Sequence, residues 1–179
     1  MRALEFWKAV TVDKANLLER IIALFHMNAI RFCVIGVGVN AYAEPLVTLD
    51  LDLVVAVDQQ EEVESLLSRE FQVERFPHSL NVSIPDSRVR VQVMTDPRYA
   101  RFLDHAEAKE VLEIVLPVAR PEDLLQGKIW AAQDPTRRPS TQQKDLLDIA
   151  RLLEAFPSLR SQLPDDIEAR LAQARLLGE

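Results

Sequence analysis

Asp50 and Asp52 interrupt an apolar, β-branched run, Thr48-Leu49-Asp50-Leu51-Asp52-Leu53-Val54-Val55-Ala56-Val57, and no other feature constrains the chain as tightly. The run has the composition of a strand buried on both faces. Side chains alternate across a strand, so acids at positions 50 and 52 share one face. Carboxylates placed this way repel each other and lose hydration. A fold tolerates that when a divalent cation or a basic partner compensates. The plain alternative is a pair of solvated acids at the mouth of a strand.

The residues upstream weigh against that alternative. Arg31-Phe32-Cys33-Val34-Ile35 reads as a strand, Gly36-Val37-Gly38 as a turn, and residues 39–44 as a short helix-like segment before the turn Pro45-Leu46-Val47-Thr48. A helix N-terminus after glycine offers free N–H groups and a positive dipole end, which suits phosphate. Paired acids would hold the Mg²⁺ that such a phosphate carries. Anion cradle and metal clamp together suggest a nucleoside triphosphate.

Gly36-Val37-Gly38, Asn40, Ala41-Tyr42, Pro45, Thr48 and Asp50-Leu51-Asp52 resemble the signature of the nucleotidyltransferase superfamily, closest to its small AbiEii-toxin-like and MNT-like members. A second block resembles the same group: residues 118–128 (Val-Ala-Arg-Pro-Glu-Asp-Leu-Leu-Gln-Gly-Lys), then Asp134-Pro135-Thr136-Arg137-Arg138, then Lys144-Asp145-Leu146-Leu147-Asp148-Ile149. The resemblance implies an α/β (α+β) fold, a mixed sheet flanked by helices with further helices at the C-terminus. The reaction implied is Mg²⁺-dependent transfer of a nucleoside monophosphate from an NTP. Its site would comprise Asp50, Asp52 and Gln92 as the catalytic set, with Asp50 and Asp52 on the metal. Gly36, Gly38, Asn40, Thr48, Lys128 and Lys144 would bind the nucleotide. The acceptor implied is an RNA such as the 3′ end of a tRNA, a protein hydroxyl or a small molecule such as an aminoglycoside, with the toxin-like relatives favouring RNA or protein. An antitoxin-like partner and a cytoplasmic location go with that reading.

The chain departs from the family pattern at three points. Val37 stands where the second glycine or serine is usual, and Leu46 lies where an arginine often precedes the threonine. The third carboxylate of active members falls on a later strand, here Arg88-Val89-Arg90-Val91-Gln92-Val93-Met94, and is replaced by Gln92. A glutamine offers a carbonyl oxygen but no charge. Asp96, just past this strand, is a candidate substitute, and Arg90, on the same face as Gln92, could pair with Asp52 and take the metal's place. A nucleotidyltransferase-fold binding module without turnover is therefore the alternative function.

A chain of 179 residues is long enough for one core, so residues 1–179 read as one domain, a core over about 31–118 and a helical part over about 119–179. Charged residues at 27% and hydrophobic ones at 48% are ordinary globular values. No apolar run is long enough to span a bilayer, and residues 1–14 lack the apolar core of a signal peptide. The single cysteine, Cys33, excludes an internal disulfide and fits a reducing compartment. A net charge of −7 argues against nucleic-acid binding over the whole surface, though not against a local basic patch.

Periodicity predicts helices over residues 3–27, 59–70, 97–109, 121–133, 141–156 and 164–177, and strands over 71–76, 79–84, 88–94 and 111–118. Lys128 falls near the buried stripe of its helix; either its stem packs while the ammonium snorkels outward, or the ammonium reaches a phosphate. Lys144 and Asp148 are spaced to pair on a helix surface. Arg137 and Arg138 read as solvated loop residues suited to an RNA backbone or an acidic partner. His26, His78 and His105 lack metal-ligand spacing, Trp7 and Trp130 read as packing residues, and the serines show no hydrolase elbow. One competitor uses the same glycines: Gly36-Val37-Gly38-Val39-Asn40-Ala41 fits the relaxed dinucleotide pattern, with Asp58 downstream. It leaves Asp50 and Asp52 unexplained.

Overall fold

The computed structural model describes residues 5, 6, 8, 9, 12, 13, 15–43 and 50–176. Trp7, Pro45, Leu46 and Thr48 lie outside the described residues. Alternation in the apolar runs produces seven strands: β1 (Phe32–Val34), β2 (Asp50–Val55), β3 (Gln72–Phe76), β4 (Ser79–Ser83), β5 (Arg90–Met94), β6 (Glu107–Val111) and β7 (Ile114–Val118). They form one mixed sheet in the order β3-β4-β5-β2-β1-β7-β6. Strand β2 runs parallel to β5 and antiparallel to β1, and β1 runs parallel to β7.

The period of two in β2 and β5 sorts their residues between two cores. Leu51, Leu53, Val55, Val91 and Val93 face one side. There they meet α1 (Leu17–Met27) through Leu17, Ile21 and Phe25, and α2 (Gln60–Glu70) through Val63 and Leu67. Cys33, Val54 and Met94 face the other side, covered by α3 (Pro121–Gln133) and α4 (Pro139–Ala155). Leu125, Ile129, Ile149 and Leu152 supply that cover, and α5 (Asp165–Leu176) adds Ile167. A mixed sheet with helices on both faces is the architecture the sequence predicts. Among the described residues no helix is long and apolar enough to cross a membrane.

Three local expectations are corrected. Residues 97–109 are not one helix: a 3₁₀ segment covers Pro97–Leu103, and Glu107–Val111 is a strand paired antiparallel with Ile114–Val118. The turn between them places Leu112 at φ 51° and Glu113 at φ 63°, the geometry of a tight hairpin, but with neither glycine nor asparagine to signal it. The helix-like segment after Gly36 is a 3₁₀ turn over Val37–Ala41, starting two residues before the expected 39–44. Because β1 and β2 are antiparallel, no parallel crossover follows the glycines, and the dinucleotide reading fails on topology.

Candidate active site

The cleft begins with register. In the β2–β5 ladder Asp50 lies opposite Arg90 and Asp52 opposite Gln92, and β4 places Asn81 opposite Gln92. Polar side chains therefore form a row across three strands on the sheet face turned toward α3 and α4. Asp50 accepts from Arg90 through Nη2 at 2.9 Å and Nε at 3.0 Å, both on Oδ1. This pair is about half exposed, with Arg90 at 67% and Asp50 at 46%. Arg90 thus pairs with Asp50, not with Asp52 as the sequence suggested.

Asp52 is more enclosed and has no side-chain hydrogen bond or ion pair among the described residues. Burial pushes its carboxyl above the ordinary carboxylate range, with the neighbouring Asp50 charge adding to the rise; Lys128 and Arg137 pull the other way. Its seat is fixed by Gly36. A Cβ added there would overlap the carboxylate oxygen Oδ2 and stand 2.8 Å from Cγ and 3.0 Å from Cβ of Asp52. Glycine is required here because the β1 end and the acid approach within contact of each other.

Gln92 is turned to the sheet edge: its Nε2 donates to Ser79 Oγ at 3.0 Å. The Asn81 Oδ1 beside it is buried without a partner among the described residues. Asp96 does not stand in for an acid at position 92. It lies four residues further on, about 13 Å along an extended chain, and is committed to Arg98. It accepts from the Arg98 backbone N–H and from the guanidinium at 2.9 and 2.7 Å. Those bonds hold its carboxyl below the usual range.

Behind the acids lies a buried ionic network from α3 and α4. Lys128, 17% exposed, donates to Asp145 Oδ1 at 3.1 Å and to Asp148 Oδ2 at 2.7 Å. Burial works to lower the Lys128 pKa, but Asp148 and Asp145 outweigh it and hold the ammonium above the ordinary lysine value. Asp148 also accepts from Arg151 Nη1 at 2.7 Å, and Arg151 Nη2 donates to Asn40 Oδ1 at 2.8 Å. Arg137 reaches Asp145 at 3.2 Å, so it faces inward rather than being wholly solvated. The structure therefore brings Gly36, Asp50, Asp52 and Gln92 together, with Lys128 close enough to act on Asp52, and ties Asn40 to the C-terminal helices. Gly38 lies in the 3₁₀ turn. Lys144 is exposed and makes no pair with Asp148, whose partners are Lys128 and Arg151.

Asp145 and Arg151 are the members that sequence reasoning did not assign. Asp145, Asp148 and Arg151 recur every third residue beside the apolar stripe of Leu146, Ile149 and Leu152. That spacing is the signal that finds them, since residues three apart share a helix face. Cys33 is not a nucleophile: burial, then the Asp123 charge, pushes its thiol up to about 12. Trp130 packs against Tyr99 and Phe102, with Arg98 5.0 Å above its ring.

Among the described residues no three acids, histidines or cysteines cluster as a metal cage. Two carboxylates two residues apart, one of them part-buried and without a side-chain partner among the described residues, nevertheless fit a hard cation that brings its own phosphate and water oxygens. Asp50 and Asp52 are the residues that would hold Mg²⁺.

A family model described as "Nucleotidyl transferase AbiEii toxin, Type IV TA system" matches residues 50–177. No significant match exists among curated proteins. Among solved structures, the antibiotic-resistance factor ANT(2'')-Ia in solution superposes with a TM-score of 0.59 at 12% identity, covering 92% of this chain and 92% of that one. The lincosamide antibiotic adenylyltransferase LnuA, lincomycin-bound, gives 0.50 at 13% identity, covering 75% and 95%. An antigenic nucleotidyltransferase-like protein from Paracoccidioides brasiliensis gives 0.50 at 17% identity, covering 94% and 88%. At these identities the likeness is one of fold.

Proposed function

We propose that this chain, which belongs to the AbiEii nucleotidyl transferase toxin family, moves a nucleoside monophosphate from an NTP to an acceptor hydroxyl in the cleft at Asp50 and Asp52. The observation that carries the proposal is the Asp52 carboxylate, part-buried, lacking a side-chain partner among the described residues, and seated against Gly36, where an added Cβ would overlap it. An ion-free fold gains nothing from such a group.

In the reaction the acceptor oxygen forms a bond to the α-phosphorus. The bond from that phosphorus to the α–β bridging oxygen breaks, pyrophosphate leaves with the electron pair, and the hydroxyl proton passes to water. Mg²⁺ held by Asp50 and Asp52 would supply polarisation of the phosphoryl oxygens and offset the leaving group's charge. Gly36 lets the backbone come close to the acid that anchors the site. Asp145 and Asp148 fix the Lys128 ammonium in advance, so its charge stabilises the phosphates without reorganisation at the moment of transfer. Arg137, held by Asp145, adds a second positive charge on the same side.

The toxin description of the family favours an RNA, such as a tRNA 3′ end, or a protein hydroxyl as acceptor over a small molecule, and an antitoxin-like partner belongs to the proposal. A cytoplasmic location, where NTPs are abundant, belongs to the same proposal. Incubation with α-labelled NTPs, Mg²⁺ and cell extract tests this: label should enter a macromolecule, and its sensitivity to nuclease or protease identifies the class. Absence of label in any fraction refutes turnover.

A nucleotide-binding module without turnover is the second reading. Gln92 favours it, because a neutral amide cannot take a proton from the acceptor. That reading expects a melting temperature raised by Mg²⁺ and NTP together more than by either alone, with no label transferred.

A further inference from the structure

We propose that the cleft takes a single divalent cation, brought in with the nucleotide, and that Arg90 supplies the positive charge that a second cation would otherwise provide. The inference rests on the reading of the cleft as an NTP site. Two-metal centres hold ions about 3.5–4 Å apart and need enough anionic oxygen to offset four positive charges. Here the strands that face the cleft offer two carboxylates, Asp50 and Asp52, and in the position beside Asp52 the neutral Gln92. Asp96, the first acid past β5, is sequestered by Arg98. No third acid, histidine or cysteine joins the pair among the described residues.

The guanidinium of Arg90 already occupies one side of the pair. It sits opposite Asp50 in the β2–β5 register and places two N–H groups on the same carboxylate oxygen, at 2.9 and 3.0 Å. With Arg90 counted, the acids carry a net single negative charge, enough for one divalent ion that also binds phosphate and too little for two. The network behind the pair does not call for a second cation either, because Lys128, Arg137 and Arg151 outnumber Asp145 and Asp148 by one positive charge. The Gln92 amide is held by Ser79, so position 92 is ordered as a neutral group rather than left as a gap. Arg90 and Gln92 therefore act together: one adds a fixed positive charge, and the other omits the negative charge that would call for a second ion.

The test counts ions and does not depend on turnover. The chain, saturated with a mixture of α,β-methylene analogues of the four NTPs, is dialysed against Mn²⁺. Bound Mn²⁺ is counted, and electron paramagnetic resonance reports any coupling between neighbouring ions. One uncoupled Mn²⁺ per chain is expected. Arg90→Ala with Gln92→Asp should take two, with the coupling of a close pair, and Arg90→Ala alone should still take one. Two coupled ions in the wild type overturn the inference while leaving the nucleotide site standing. A count that stays at one in the folded double variant also overturns it, since charge at positions 90 and 92 would then not set the number. No nucleotide-dependent Mn²⁺ in the wild type refutes the nucleotide-site reading itself. If the double variant fails to fold, Gln92→Glu with Arg90→Gln makes the same charge change with longer and polar side chains.

Discussion

Replacing Gly36 by alanine separates a structural need for glycine from a local backbone preference. The backbone at Gly36 has φ −63°, which alanine adopts freely. Without the acid opposite, the substitution would stabilise by about 0.4–1 kcal/mol by restricting the unfolded chain. The new methyl, however, would meet the Asp52 carboxylate, with Cγ at 2.8 Å and Cβ at 3.0 Å. Overpacking of this kind costs about 1–3 kcal/mol. At mid-range values the net expectation is a loss of about 1.3 kcal/mol, or about 3–5 °C in melting temperature for a chain of this size. In an Asp52→Ala background the carboxylate contacts vanish, and Gly36→Ala should become neutral or mildly stabilising. Urea unfolding of the four proteins gives the coupling energy, expected at about 1–3 kcal/mol. Equal destabilisation in both backgrounds, or none in the wild type, would refute the claim that Gly36 exists to seat Asp52.

The remaining predictions concern the charges. Asp52 has a folded-state pKa above its unfolded value, so the folded protein binds the proton more tightly and the charged acid destabilises at higher pH. Asp52→Asn should therefore raise the melting temperature at pH 7, and the gain should shrink to nothing as the pH falls below about 4, the ordinary aspartate value; scanning calorimetry across that range checks it. Lys128→Met leaves Asp145 to Arg137 and Asp148 to Arg151 and should cost about 1–3 kcal/mol in urea unfolding, the loss of charged hydrogen bonds without a fully unpaired acid. Arg90→Ala removes a half-exposed pair and should change stability by less than about 1 kcal/mol in the same assay.

Much of this arrangement is legible from local pattern. The alternation through Asp50, Asp52 and Val54 assigns the acids to the face of α3 and α4, and the helix over residues 121–133 is marked at its start by Pro121. The hairpin over 107–118 is hidden because its turn uses Leu112 and Glu113 at positive φ, where residue type gives no warning. The site divides along the same line. Asp50, Asp52 and Lys128 stand out because each places a charge near an apolar stripe. The link from Arg151 to Asn40 is closed by the docking of α4 against the turn after β1, a tertiary event that no spacing records, and the link from Arg137 to Asp145 by the loop before α4 folding back on that helix. Lys144 misleads for the same reason: its spacing to Asp148 is right for a pair, but Lys128 from α3 takes the acid.

The central claim is that the Asp50–Asp52 cleft is where nucleotidyl transfer takes place. The most direct measurement compares wild type with Asp50→Asn for transfer of α-label from NTP to acceptor at equal protein concentration. The substitution keeps the shape and removes one half-exposed charge, and an unchanged melting profile verifies the fold. Label in the wild type and its loss in Asp50→Asn is the predicted result. Equal labelling by the two proteins would contradict the account, because the chemistry would then lie elsewhere on the chain.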